Sequence, residues 1–307
     1  MNVVFMGTPE FAVNSLEMLT EEHNVLAVFT KPDKPKGRGY EMCPPPIKVK
    51  ALEYGIPVYQ PTSVKGEDTL ALLKELNPDV IVVVAYGKIL PPEILKLPRF
   101  GCINVHASLL PRHRGASPIQ WAIVSGDKVT GVTTQLMAEG IDTGDILVTS
   151  VTNIDADDTA DSLHDKLAVL GAKTLKSTLK GLETDELLAL KQREEDATYA
   201  PIIKKEMALI DFSLTMDEID CRVRGFNSWP CAYFYLNGKR IKVYKVKKCE
   251  FKGNVGEVIE CENSLVIGCK DGSVELLEVQ PEGKRRMNAA DMLRGWHIEK
   301  GSFVGEN

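Results

Sequence analysis

The stretch Val80-Ile81-Val82-Val83-Val84 is an unbroken β-branched run. Such a run reads as a central parallel strand, because apolar residues at every position need cover on both faces. Before it in the sequence, Val3-Val4-Phe5-Met6 and Val25-Leu26-Ala27-Val28-Phe29 read as further buried strands, and after it Cys102-Ile103-Asn104-Val105 reads as another. A helix is expected from Pro9, with Phe11, Leu16 and Leu19 on its apolar face. Strand–helix alternation at this spacing predicts an open, doubly wound α/β sheet. Ligands of such sheets bind beyond the C-terminal ends of the strands, which directs attention to the residues just after Met6, Val84 and Val105.

Further along, the pattern changes. Lys31 to Ile47 is rich in proline and glycine and is expected to be an irregular loop; it carries Lys31, Lys34, Lys36 and Arg38. A helix is predicted over 158–180, with Leu163, Leu167, Leu170 and Leu175 on one face. The polar stretch 191–201 has no periodicity and reads as part of a linker. A short helix fits Thr215 to Val223. Strands are predicted at Ala232–Leu236, Arg240–Val246, Gly256–Glu260, Ser264–Cys269 and Val274–Val279, with Asn237-Gly238 and Asp271-Gly272 as hairpin turns. The expected architecture is an α/β chain: an N-terminal doubly wound, Rossmann-like sheet over 1–189, a linker over 190–206, and a small OB-like β-barrel over 207–307.

Composition agrees with two globular domains: 307 residues, 44% hydrophobic and 26% charged. No apolar run approaches the roughly 18 residues that would span a bilayer, so no membrane partner is expected. The N-terminus lacks the basic stretch and long apolar core of a secretory leader. Seven cysteines without a C-x-x-C pair suggest free thiols in a reducing, cytoplasmic setting. A net charge of −6 argues against a protein that coats nucleic acid. It leaves room for a local basic face: residues 222–252 hold nine Lys and Arg and a single acid, Glu250.

Three short segments could carry chemistry. Gly7-Thr8-Pro9 closes the first strand with one glycine, not G-x-G-x-x-G, which argues against a dinucleotide site. In Asn104-Val105-His106, alternation along a strand points Asn104 and His106 to the same side. An amide there could stabilise a developing oxyanion, and an imidazole could move a proton near neutral pH. A satisfied structural histidine gives the same pattern. In Gly140-Ile141-Asp142-Thr143-Gly144, a tight loop could aim Asp142 at that imidazole, although D-x-G alone is a turn motif. The five histidines show no metal-ligand spacing, so no metal is expected.

Asn104-x-His106-x-Ser108-Leu109-Leu110-Pro111, followed by Gly140-Ile141-Asp142-Thr143-Gly144, resembles the formyltransferases that use 10-formyltetrahydrofolate. Phe5-Met6-Gly7-Thr8-Pro9-Glu10-Phe11-Ala12, Gly37-Arg38-Gly39, Val83-Val84-Ala85-Tyr86-Gly87, the run from Ser108 to Gln120 and Phe226-Asn227-x-Trp229-Pro230 extend the resemblance through nearly the whole chain and favour the tRNA-acting branch. The resemblance implies transfer of a formyl group from 10-formyltetrahydrofolate to the α-amine of methionyl initiator tRNA, giving N-formylmethionyl-tRNA for translation initiation. It implies Asn104, His106 and Asp142 as the catalytic set. Ser108, Leu109, Leu110, Pro111, Tyr86 and Gly87 are implied to line the folate pocket. Phosphates of the tRNA are expected to meet Lys36 and Arg38 in the first domain, and Arg240, Lys242, Lys245 and Lys247 in the second. A monomer is expected. Two other readings stay open on the residues alone: a formyltransferase or hydrolase acting on a small amine or water, and a non-catalytic binding protein.

Overall fold

The computed structural model describes residues 1–36 and 41–305; for Lys36 only the backbone is described, and Arg38 lies outside the described residues. The chain forms two units. One comprises Met1–Pro118, Val129–Asn153 and His164–Ala200; the other comprises Ile119–Lys128, Ile154–Leu163 and the chain from Pro201.

In the first unit, seven strands lie in the order Asp145–Asn153, Val129–Leu136, Cys102–His106, Val80–Val84, Asn2–Gly7, Asn24–Phe29, Val58–Tyr59. Val80–Val84 is buried at every position and runs parallel to both of its neighbours. The order reverses between Asn2–Gly7 and Val80–Val84, as a doubly wound sheet requires. Val129–Leu136 and Asp145–Asn153 add an antiparallel edge. The 137–144 loop is enough to join them, whereas parallel neighbours need a crossover of about a dozen residues or more. Phe11, Leu16 and Leu19 are buried as expected, in a 3-10 turn at Glu10–Ala12 and the helix Val13–Glu22. The predicted long helix is Ala160–Glu183.

The expectation of an irregular loop from Lys31 to Ile47 needs correction. Lys34–Lys36 pairs antiparallel with Glu41–Cys43, placing Pro35 opposite Met42, and a helix begins at Pro46. Both strands of a two-stranded ribbon are edges, where a missing N–H is tolerated. Proline at the start of a helix likewise gives up an N–H that has no partner within the helix.

The second unit is built on an antiparallel sheet in the order Tyr233–Leu236, Lys239–Cys249, Gly272–Pro281, Leu265–Cys269, Val258–Glu260, with Met287–Asn288 also paired to Gly272–Pro281. Its inner face carries Phe234, Leu236, Ile241, Val243, Leu265, Ile267, Val274, Leu276 and Val279. The tail bridges the two edge strands. Val258 N–H donates to Ser302 O (2.8 Å), Val304 N–H to Gly256 O (2.9 Å), and Gly305 N–H to Tyr235 O (3.0 Å). Asn237-Gly238 forms the expected turn, both at positive φ (51° and 68°). The other turn is centred one residue earlier than expected. Cys269 pairs with Gly272, so Lys270-Asp271 make the turn, and the Asp271 carboxylate accepts from Met216 N–H (2.8 Å).

The helix Met216–Gly225 starts at a capping box in which the Thr215 hydroxyl accepts from Glu218 N–H and the Glu218 carboxylate accepts from Thr215 N–H. Thr215→Ala removes one half of it and is expected to destabilise the protein by about 1 kcal/mol, within the range 0.5–2. Denaturant unfolding monitored through the tryptophans measures this; an unchanged midpoint would show that the cap contributes nothing.

Candidate active site

Cys102–His106 lies inside the first unit's sheet, and alternation sets Asn104 and His106 on one side of it. In the antiparallel register, Asn104 faces Gln135 and His106 faces Thr133. The loop after Leu136 returns across this strand and delivers Asp142, held at φ +53°. Asn104 Nδ2 donates to Asp142 Oδ1 (3.2 Å), and His106 Nδ1 lies 3.5 Å from Asp142 Oδ2. The three groups are therefore together, although 38 residues separate Asn104 from Asp142. His106 is 6% exposed, and its Nε2 contacts His113 O at 3.0 Å. A carbonyl can only accept, so the contact assigns a proton to Nε2.

Asp142 has further partners that sequence reasoning missed. Gln135 Nε2 donates to Oδ1 (2.8 Å) and Gly115 N–H to Oδ2 (2.9 Å). Gln192 Nε2 donates to the backbone oxygens of Asp142 (2.8 Å) and Gly144 (2.6 Å). Gln192 Oε1 accepts from Arg114 Nε (3.0 Å), and the Arg114 guanidinium forks onto Glu194 (2.7 and 2.9 Å). That fork holds the Glu194 carboxyl below the ordinary glutamate value, chiefly through the hydrogen bond from Arg114. A lowered carboxyl pKa favours the fold above the ordinary value, and the benefit is lost as pH falls through the folded value. The fork is thus intact at neutral pH. Gln135 was findable as the cross-strand partner of Asn104; nothing local marks Gln192.

The expected folate-pocket residues fall into two groups. Thr133 Oγ1 donates to Ser108 O (2.7 Å) and accepts from Leu110 N–H (3.1 Å), while Ser108 Oγ donates to Arg112 O (2.6 Å). These bonds lock the turn from Ser108 to Pro111. Leu109 packs on the sheet where Gly131 leaves room: a Cβ on Gly131 would stand 2.6 Å from Leu109 Cδ2. Tyr86, by contrast, buries its ring in the core with Val4, Met6, Phe29 and Ile81, and burial pushes its phenol up to about 12. Only its backbone is left for a ligand, and Tyr86 O already accepts from Thr8 Oγ1 (3.3 Å). Gly87 follows at φ +70°.

In the second unit, Arg240, Lys245 and Lys247 are exposed and Lys242 is partly exposed, all outward from Lys239–Cys249. Lys247 lies 3.9 Å from Glu275, and the Arg240 guanidinium lies 5.9 Å from the Tyr233 ring centre. Three other cations of the 222–252 run have partners within the second unit. Arg224 bonds Asp220 and Asp158 O (both 2.9 Å), Arg222 reaches Met207 O (3.4 Å), and Lys248 pairs with Asp217 (2.6 Å). Among the described residues no group of three or more His, Cys, Asp or Glu could hold a metal ion, and no helix is long and apolar enough to cross a membrane.

Residues 1–179 match the family described as formyl transferase, and residues 202–297 match the formyl transferase C-terminal domain. The chain belongs to the formyl transferase family. Among its relatives, a protein from Caldanaerobacter subterraneus named methionyl-tRNA formyltransferase is 51% identical over 99% of this chain and 100% of its own length. One of the same name from Geobacter metallireducens is 47% identical over 99% of both chains. Among solved structures, a sugar 3N-formyl transferase, WlaRD, has a TM-score of 0.68 at 24% identity, covering 93% of this chain and 99% of its own. A methionyl-tRNA formyltransferase from Clostridium thermocellum has a TM-score of 0.55 at 20% identity, covering 81% and 94%. At such identities the likeness is one of fold.

Gly115 is a point of close backbone approach in this candidate site. Its φ is +120°, and a Cβ would stand 2.7 Å from Ala200 O. Gly115→Ala is expected to cost about 1–3 kcal/mol, the usual scale of such backbone strain, and to lower transfer by displacing the N–H that Asp142 accepts. Unfolding and initial-rate measurements on the same preparation check both; a variant as stable as the parent would refute the close approach.

Proposed function

We propose that this chain transfers the formyl group of 10-formyltetrahydrofolate to the α-amine of methionyl initiator tRNA, giving N-formylmethionyl-tRNA for translation initiation. The observation that carries the reading is the meeting of Asn104, His106 and Asp142 in a chain whose full-length relatives at 44–51% identity are named methionyl-tRNA formyltransferase. The reading gives residues 1–189 the formyl-transfer chemistry, 190–206 the role of linker, and 207–307 that of holding tRNA. All seven cysteines are free thiols, which suits a reducing, cytoplasmic setting.

The donor set fits a formyl group. A neutral amide can meet a carbonyl oxygen, and an imidazole beside a carboxylate can accept a proton. The folate supplies the one-carbon unit to be moved. Asn104 Nδ2 carries two hydrogens and commits one to Asp142, so the other can meet the formyl oxygen as its charge grows. With Nε2–H given to His113 O, His106 Nδ1 is the nitrogen left to take up the amine's proton. A proton there points at Asp142 Oδ2, which stabilises the cation until the proton passes to the folate N10, whose bond to the formyl carbon breaks as the amine's bond to it forms. Ser108, Leu109, Leu110 and Pro111 would wall the folate, with backbone groups of Tyr86 and Gly87 beside them. Arg240, Lys242, Lys245 and Lys247, and Lys36 and Arg38 of the first domain, would meet tRNA phosphates. Contacts of that kind supply affinity and carry little sequence information.

Three outcomes test this. Transfer is expected to methionylated initiator tRNA and much less to elongator methionyl-tRNA; equal activity on a free small amine would overturn the tRNA reading. Asp142→Asn sets an amide N–H₂ against donors from Asn104, Gln135 or Gly115. It should lower kcat by about 10²–10⁴-fold, the usual worth of positioned acid–base groups, while folate still binds. Near-normal turnover would remove Asp142 from the chemistry. Replacing Lys242 and Lys245 with alanine should weaken tRNA binding and reduce the salt slope by about one for each phosphate no longer neutralised. A slope unchanged in a filter-binding salt series would clear that face of any role.

A further inference from the structure

The side chain of Gln192 is fixed by partners that allow its amide one orientation. Arg114 can only donate, so Gln192 Oε1 faces its Nε at 3.0 Å. The Asp142 and Gly144 carbonyls can only accept, so Nε2 turns its two hydrogens to them, at 2.8 and 2.6 Å. Arg114 is itself immobilised, 1% exposed and forked onto Glu194. Two residues before Gln192, Leu190 exchanges both backbone hydrogen bonds with Ile146 (2.8 Å each), which registers the segment against the strand leaving the Asp142 loop.

The loop needs such a hold. Asp142 is a non-glycine residue at φ +53°, a conformation that costs energy and persists where its surroundings impose it. Its carboxylate must also face Asn104 on one oxygen and His106 on the other. The hydrogen bonds from Gln192 grip the backbone on both sides of Thr143, at Asp142 and Gly144. The buried arginine gives its Nε to Gln192 and a hydrogen bond from each terminal nitrogen to Glu194; its work is to orient the glutamine.

We infer that Gln192, oriented by Arg114, is the positioning residue that fixes the Asp142 carboxylate between Asn104 and His106. The inference rests on the catalytic reading of Asp142. It assigns a function in transfer to a segment that composition alone presents as a polar connector.

The test uses the full chain with Gln192→Glu and Gln192→Ala. The first keeps shape and the acceptor that Arg114 needs, but sets oxygen against two carbonyl oxygens. The second removes the amide. Both are expected to lower kcat by about tenfold or more, since misplacing a reacting group by about 1 Å can cost 10²-fold, with KM for the folate and the unfolding midpoint little changed. In an Asp142→Asn background the same substitutions should cost little further, because the residue they act through is already gone. Two results overturn the inference: kcat within about twofold of the parent in both variants, on the scale above, or the full loss repeated in the Asp142→Asn background. If Asp142→Asn alone turns over near-normally, the underlying reading of the site fails, and that outcome is distinct from the other two.

Discussion

A carboxylate withdrawn from water has to be repaid in hydrogen bonds, and the first unit is arranged around that requirement at Asp142. The side chain is 12% exposed and accepts from Asn104 Nδ2, Gln135 Nε2 and Gly115 N–H, with His106 Nδ1 beside it. Each donor comes from a different piece of chain. Asn104 belongs to an interior strand, Gln135 to its antiparallel neighbour, and Gly115 to a short pairing with Tyr199–Ala200. Shifting either of the two sheet strands by a residue would turn its side-chain amide to the other face. The unbroken burial of Val80–Val84 therefore matters to chemistry, because that strand sets the level of Cys102–His106, with Val83 beside Asn104.

The second unit solves a different problem, that of presenting cations without losing a core. Ile241 and Val243 point inward, and alternation would next bury residue 245. The register instead shifts between Val243 and Val246, so that Val246 is buried and Lys245 stays outside. Arg240, Lys242, Lys245 and Lys247 thus share the outward side. Acids lie on that side too: Glu275 is near Lys247, and Glu278 pairs with Arg286. The surface is a patterned one and not a uniform positive field, which fits a chain whose overall charge is −6.

Much of this was legible in the residues. The central strands, the helix faces and the hairpin at Asn237-Gly238 follow from local periodicity and turn chemistry. Asn104 and His106 were legible as a pair because a strand's period is two. The hairpin within 31–47 was hidden because prolines normally bar strands, and an isolated ribbon is the exception. The turn at Lys270-Asp271 was displaced because Gly272, a good turn residue, is used as a strand residue packed close to Met216. Tyr86 looked like a ligand contact from its place after a strand, yet its ring turned into the core.

By itself the sequence determined which segments become strands and helices, and which chemical groups are on hand at the strand ends, because both depend on residues a few positions apart. Only the tertiary structure decided that Gln192 grips a backbone 50 residues away and leans on an arginine 78 residues away. Long-range hydrogen-bond partners are selected by the route of the folded chain, and a polar side chain in an aperiodic stretch carries no local trace of that choice.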